Sequence, residues 1–150
     1  MKRIVASFLS ILMLLPMLML GISAEGYDAN VIYFDDGSHI VITIEEFGLR
    51  SSGTKSGRAT YNYYDSDGVL EWKAVLNGTF TYNGSSATCT ASTCNVTTYD
   101  SAWYTVSKSS GKSGNSATAA VTMGKKLLGV TITKVPVDMI LSCDANGNLS

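Results

Sequence analysis

The chain has 150 residues, a formal net charge of −1, and eleven Lys and Arg against twelve Asp and Glu. That is one domain's worth of chain, and without a basic stripe it lacks the electrostatic footprint of a nucleic-acid binder. One histidine and three cysteines also exclude a His-rich or four-cysteine zinc site.

Lys2 and Arg3 precede an almost wholly apolar run, Ile4 to Leu20, and Gly21-Ile22-Ser23-Ala24 supplies small residues before Glu25. This is the layout of a secretory signal peptide over residues 1–24, cut between Ala24 and Glu25. A signal anchor is the competing reading, since the run approaches the ~20 residues that cross a bilayer. The small residues and the polar, acidic chain that follow favour cleavage. Residues 25–150 are then a single secreted domain, at or near the cell surface, with nine basic and twelve acidic side chains. Such a domain is a poor match for anionic membranes, and no stable membrane anchor is expected after cleavage.

From Asn30 the pattern is one of strands. Val31-Ile32-Tyr33-Phe34 runs into the turn cluster Asp35-Asp36-Gly37-Ser38, and His39 to Ile44 returns with Ile40, Ile42 and Ile44 on one face, a hairpin. Gly48 to Gly57 is polar and rich in Gly and Ser, which predicts a loop. Ala59 to Tyr64 is a tyrosine-rich strand, and Asp65-Ser66-Asp67-Gly68 turns it into Leu70–Tyr82.

That stretch is the centre of the pattern. Leu70, Trp72, Ala74, Leu76, Phe80 and Tyr82 alternate with Glu71, Lys73, Asn77, Thr79 and Thr81, as a strand with one buried face requires. Gly78 interrupts the apolar series and is expected to mark a bulge or bend. Asn83-Gly84 is a hairpin signal, and Ser86–Ala91 and Thr93–Tyr99 read as two further strands. Trp103–Ser107 and Ala117–Met123 flank a loop over Ser109–Asn115. In the last apolar stretch Val130 and Ile132 share one parity, and Val135, Val137, Met139 and Leu141 share the other. A bulge or a change of sheet is therefore expected around Lys134–Pro136. Eight to ten strands and no helix after the leader predict an all-β domain. The expected fold is an antiparallel two-layer β-sandwich of the Ig-like kind, with a small β-barrel as second choice.

Outside the cell two of the three cysteines should pair. A Cys89–Cys94 bridge would stabilise by about 2 kcal/mol and a bridge to Cys143 by about 4 kcal/mol on loop entropy. Cys89 shares parity with Ala87 and Ala91, and Cys143 continues that of Met139 and Leu141, so both are expected to face inward. This favours Cys89–Cys143 and leaves Cys94, near a turn, as the candidate free thiol; spacing alone leaves the connectivity open.

No catalytic site assembles from these elements. His39 sits beside Asp35, Asp36 and Ser38, but neighbours in one turn rarely meet in triad geometry. The carboxylate pairs Asp35/Asp36, Glu45/Glu46 and Asp65/Asp67 with Glu71 fall in turns or on wet faces, whereas a glycosidase needs a cleft. Asp65-Ser66-Asp67-Gly68 begins like a calcium loop but has Leu70 and Leu76 where an EF-hand needs Gly and Glu. Asp144-Ala145-Asn146-Gly147-Asn148 begins similarly. Both read as turns, with weak calcium binding as the alternative, and no metal or cofactor is expected. The aromatic residues offer more, because sugar CH faces stack on rings. Tyr61, Tyr63, Tyr64 and Tyr104 are the candidate ligand platform. Trp72 shares the apolar parity and belongs to the core, and Trp103 suits either role.

Gly78-Thr79-Phe80-Thr81-Tyr82-Asn83-Gly84, Cys89, Asp100-Ser101-Ala102-Trp103, Gly114-Asn115, Leu128-Gly129-Val130-Thr131 and the ending Leu141-Ser142-Cys143-Asp144-Ala145-Asn146-Gly147-Asn148-Leu149-Ser150 together carry a likeness. With the leader, the stretch from Ala59 onward resembles a group of short secreted proteins of Firmicutes. The resemblance implies an exported location and a style of fold rather than an activity. It also implies a bacterial source, which makes the glycosylation patterns at Asn77, Asn83, Asn95 and Asn148 incidental, and it supports the Cys89–Cys143 pairing. The expectation is a non-catalytic binding or adhesion module for cell-envelope or host glycans or proteins. A structural, self-associating surface protein, through strand edges or a Cys94–Cys94 link, is the alternative, and a small secreted hydrolase is the remoter one.

Overall fold

The computed structural model describes residues 30–51 and 53–150; the expected leader and its Ala24–Glu25 cut lie outside them. Eight strands follow in order: β1 Asn30–Tyr33, β2 His39–Ser51, β3 Thr54–Tyr64, β4 Leu70–Tyr82, β5 Ala87–Thr98, β6 Trp103–Ser113, β7 Ser116–Leu127 and β8 Val130–Ser142. β1 to β5 make one antiparallel sheet and β6 to β8 a second, each in sequence order. The two pack face to face as a sandwich, and neither closes into a barrel. Every hydrogen-bonded pair among the described strands joins sequence neighbours. The connection is thus a double meander, without the crossover of an Ig Greek key, and the chain changes sheets once, at 99–102.

β4 holds the centre because its alternation is met on both sides. Trp72, Ala74, Leu76 and Phe80 are fully buried, in one cluster with Ala117, Val121 and Met123 of β7 and Leu141 of β8. Gly78 is buried with them, but the irregularity expected there lies one residue on. The register shifts between Thr79 and Phe80, opposite Thr90 of β5. Gly78 provides clearance instead: a Cβ on it would come 2.6 Å from the Phe80 ring.

The same bulge corrects the reading of β5. Ala87–Thr98 is one strand rather than two. The extra residue flips parity between Cys89 and Cys94, so both face the core. Cys94 lies in mid-strand opposite Leu76, not near a turn. All three cysteines are buried and unpaired, so the expected Cys89–Cys143 bond is not formed. Each of those thiols is directed to a carbonyl close in sequence, Cys89 Sγ to Ala91 O at 3.3 Å and Cys143 Sγ to Asp144 O at 3.5 Å.

Of Gly48 to Gly57, expected as a loop, residues 48–51 and 54–57 lie in strands, with β2 and β3 meeting at Ser51 and Thr54 beyond a register shift after Phe47. Gly57 marks a close approach there, since a Cβ on it would overlap Leu149 Cδ1 and sit 2.7 Å from Glu45 O. The Ser109–Asn115 loop likewise shrinks to a turn at Gly114 and Asn115, with Ser113 facing Ser116. In β8 the parity switch is a bulge at Ile132, where Lys125 pairs with Thr133 and Lys126 with Thr131. Pro136 lies on the free edge of β8. Ile140 and Ser142, of the same parity, send their N–H groups away from β7, to Tyr61 Oη and Ser150 O. A proline there removes an N–H that has no ladder partner and blunts the edge.

Candidate functional site

The expected platform does not assemble. Tyr61 and Tyr63 are 4% and 5% exposed. They pair with Ile42 and Ala74, and with Ile40 and Trp72, on the inner face. Burial pushes both phenols above their ordinary pKa, against a hydrogen bond with the Ile140 N–H for Tyr61 and with Ser38 for Tyr63. Tyr63 stacks on Trp72 at 4.9 Å and meets Trp103 edge-on at 5.2 Å, which places Trp103 in the core. Tyr104 is half-buried on the far side of the molecule, its ring over Gly124, its hydroxyl 2.6 Å from Thr131 Oγ1, and Lys126 Nζ 4.4 Å from the ring centre. The signal was present in the sequence: Ala59, Tyr61 and Tyr63 share one parity, while Thr60 and Asn62 mark the wet face.

Tyr64 does face outward, and it has partners that sequence reasoning did not supply. The cross-strand row Tyr33↔His39↔Tyr64 spans β1, β2 and β3. The His39 and Tyr64 rings lie 5.2 Å apart and 13° from parallel, and Tyr33 lies 5.7 Å from His39 at 33°. His39 and Tyr64 stand on the sheet as a stack, and Tyr33, tilted against His39, ends it. Its open face is that of Tyr33, 76% exposed at the β1 edge. Asn62 and Lys73 are outward-facing on the neighbouring cross-strand row. A ring braced from behind by two others loses little freedom when a ligand stacks on it.

His39 is thereby committed to the stack rather than to a triad. Ser38 gives both its N–H and its hydroxyl to Asp36 Oδ1, at 2.9 and 2.5 Å, and these bonds hold Asp36 below the usual carboxylate range. Glu45 pairs with Arg58 and Glu46 with Lys55 across strands. Asp65 Oδ1 accepts from the Asp67 and Val69 amides, and Asp144 Oδ1 from those of Asn146 and Asn148. Both apparent calcium loops are thus turns closed by their own carboxylates.

One carboxyl sits where alternation had predicted a wet face. Glu71 is 5% exposed and accepts from Trp103 Nε1 at 2.7 Å, with Lys125 Nζ 4.0 Å away. Burial raises its pKa, the adjacent Asp100 carboxyl adds to that, and Lys125 and Trp103 oppose it.

On the outer face of the three-stranded sheet a shallow groove of about 580 Å³ runs over Ser109, Gly111, Thr118 and Ala120, bounded by Asp138 and Ile140. It offers no ring for stacking. The aromatic stack lies on the opposite face of the sandwich.

No protein-family model matches the chain, and searches of curated proteins and of solved structures give no match either.

Proposed function

We propose that this protein is an exported, non-catalytic module that binds cell-envelope or host glycans, or proteins bearing them, through the outer face of its five-stranded sheet. The observation behind this reading is the Tyr33–His39–Tyr64 stack with its open Tyr33 face. Aromatic rings held at a surface bind the CH faces of sugars while neighbouring polar groups take the hydroxyls. The test is depletion of the purified protein from solution by isolated cell wall and a panel of insoluble polysaccharides. Retention that falls at least tenfold in Tyr33→Ala supports the reading. Retention by nothing, or equal retention of the variant, sinks it.

Self-association is the second reading, and the five-stranded sheet's overhang supports it. Ile32 and Ile44, on the inner face of β1 and β2, remain 42% and 38% exposed where the smaller sheet does not cover them. Sedimentation velocity over a range of concentrations tests this, with Ile32→Lys expected to hold the chain monomeric. A Cys94–Cys94 link no longer supports it, since Cys94 is 7% exposed.

A further inference from the structure

Residues 126–134, the end of β7, its turn and the start of β8, are exposed without interruption. Two paired strands wet on both faces form a hairpin tied to the sandwich at its base, where the Lys126 N–H donates to Ala102 O at 2.9 Å and Tyr104 Oη lies 2.6 Å from Thr131 Oγ1, and its tip projects beyond by roughly 7 Å at the rise of a strand. Its tip is aliphatic. Leu127 is 60% exposed, Leu128 96%, Val130 64% and Ile132 55%. Leu127 and Val130 pair across the two-residue turn Leu128-Gly129, in which both residues have positive φ, 50° and 81°. The first position of such a turn ordinarily takes Asn, Asp or Gly. A leucine there strains the backbone and at the same time presents the most exposed large apolar side chain among the described residues. Local strain of this kind points to a use.

The surroundings say which use. Gly124 to Val135 contains Lys125, Lys126 and Lys134 and no acidic residue, so the net acidity that makes the domain as a whole a poor match for anionic membranes does not extend to this tip. Aliphatic side chains and lysines are the wrong composition for a protein interface, whose core is depleted in Lys and whose hot spots favour Trp, Tyr and Arg. They are the right composition for a lipid surface. Short apolar side chains enter the acyl boundary to a depth of ~5–10 Å, and lysine stems lie along them with the ammonium at the phosphates. The ring of Tyr104, under Lys126, sits behind the tip where interfacial aromatic residues are found. A hairpin also satisfies its strand amides internally, which an inserted loop could not.

We propose that the β7–β8 tip docks on an anionic phospholipid bilayer, with Leu127, Leu128, Val130 and Ile132 in the acyl boundary and Lys126 and Lys134 at the headgroups. This reading is independent of the aromatic stack. The test places an indole at the tip with Leu127→Trp, or with Val130→Trp should the first variant fold poorly. Vesicles of phosphatidylglycerol and phosphatidylcholine in equal parts, with brominated acyl chains, are then added to the full chain. Quenching reports the tip itself however the rest of the chain is held, because Trp72 and Trp103 are 0% and 4% exposed. The expected result is quenching with a blue-shifted emission. Addition of Leu128→Asn should weaken it at least tenfold while keeping or raising thermal stability, since Asn accepts positive φ. Lys126→Gln and Lys134→Gln should each weaken it about fivefold. Emission unchanged by these vesicles, or quenching that Leu128→Asn leaves intact, overturns the proposal.

Discussion

Trp103 and Glu71 bind one another across the two sheets, indole Nε1 to carboxyl Oε2 at 2.7 Å, with both residues buried. The bond joins the start of β4 to the start of β6, and the Glu71 carbonyl also accepts from the Tyr99 amide at 2.8 Å. Glu71 therefore pins the segment where the chain passes from one sheet to the other. Asp65 and Asp100, Lys125 and the Tyr63 phenol surround it.

The raised pKa of Glu71 sets a pH dependence. A carboxyl held above its unfolded value contributes stability that is complete below that value and is lost as pH rises through the folded one. Glu71→Gln stays neutral throughout and can still accept from Trp103. Its thermal midpoint should match the wild type near pH ~4 and exceed it at neutral pH. Glu71→Ala, which strands the indole N–H, should cost about 1–3 kcal/mol at every pH. Thermal melts of both variants from acid to neutral pH check the pair.

The two faces of β3 should separate cleanly on substitution. Tyr61→Ala and Tyr63→Ala open cavities beneath the β4 core and should each cost about 3–5 kcal/mol. Tyr64→Ala and Tyr33→Ala, on the outer face, should each cost no more than about 1 kcal/mol. Urea unfolding midpoints distinguish the groups.

Gly57→Ala should destabilise by about 1–3 kcal/mol, because the added methyl meets the Glu45 carbonyl of the paired strand as well as Leu149. Gly84→Ala removes no such clearance, since nothing lies within 4 Å of a Cβ there, and what it costs reflects its φ of 83°. Chemical denaturation of the two variants separates packing from backbone strain.

The thiols should be silent in the native protein. Burial raises the pKa of all three, most simply for Cys94, where only Lys108 opposes it. Iodoacetamide at neutral pH should leave the folded chain unmodified and add three groups in denaturant, read by intact mass. Two fewer additions under non-reducing conditions would restore a disulfide.

Alternation made much of the fold legible: β4 matches Leu70–Tyr82 end to end, and the first hairpin and the inward facing of Cys89 and Cys143 follow the same rule. It misled at three kinds of place. Glycines that exist for close approach, Gly57 above all, look like loop residues until the neighbouring strand is in position. The bulge at Thr90 shifts parity without a Gly or Pro to announce it, and the one that parity placed around Lys134–Pro136 falls at Ile132. Glu71 reads as wet by alternation, and the indole that accepts it into the interior lies 32 positions away. The aromatic row was hidden for a similar reason. Tyr33, His39 and Tyr64 belong to three strands, and cross-strand register, which assembles them, is not written in any one segment.

The double meander has a kinetic consequence. With every hydrogen-bonded strand pair joining sequence neighbours, most of the ordering can proceed by hairpins that zip locally, within microseconds each. What remains is a single long-range event, the docking of one meander on the other around the Glu71–Trp103 contact. Refolding should therefore be fast for an all-β chain, and its rate should answer to Glu71→Ala far more than to changes in the β7–β8 tip.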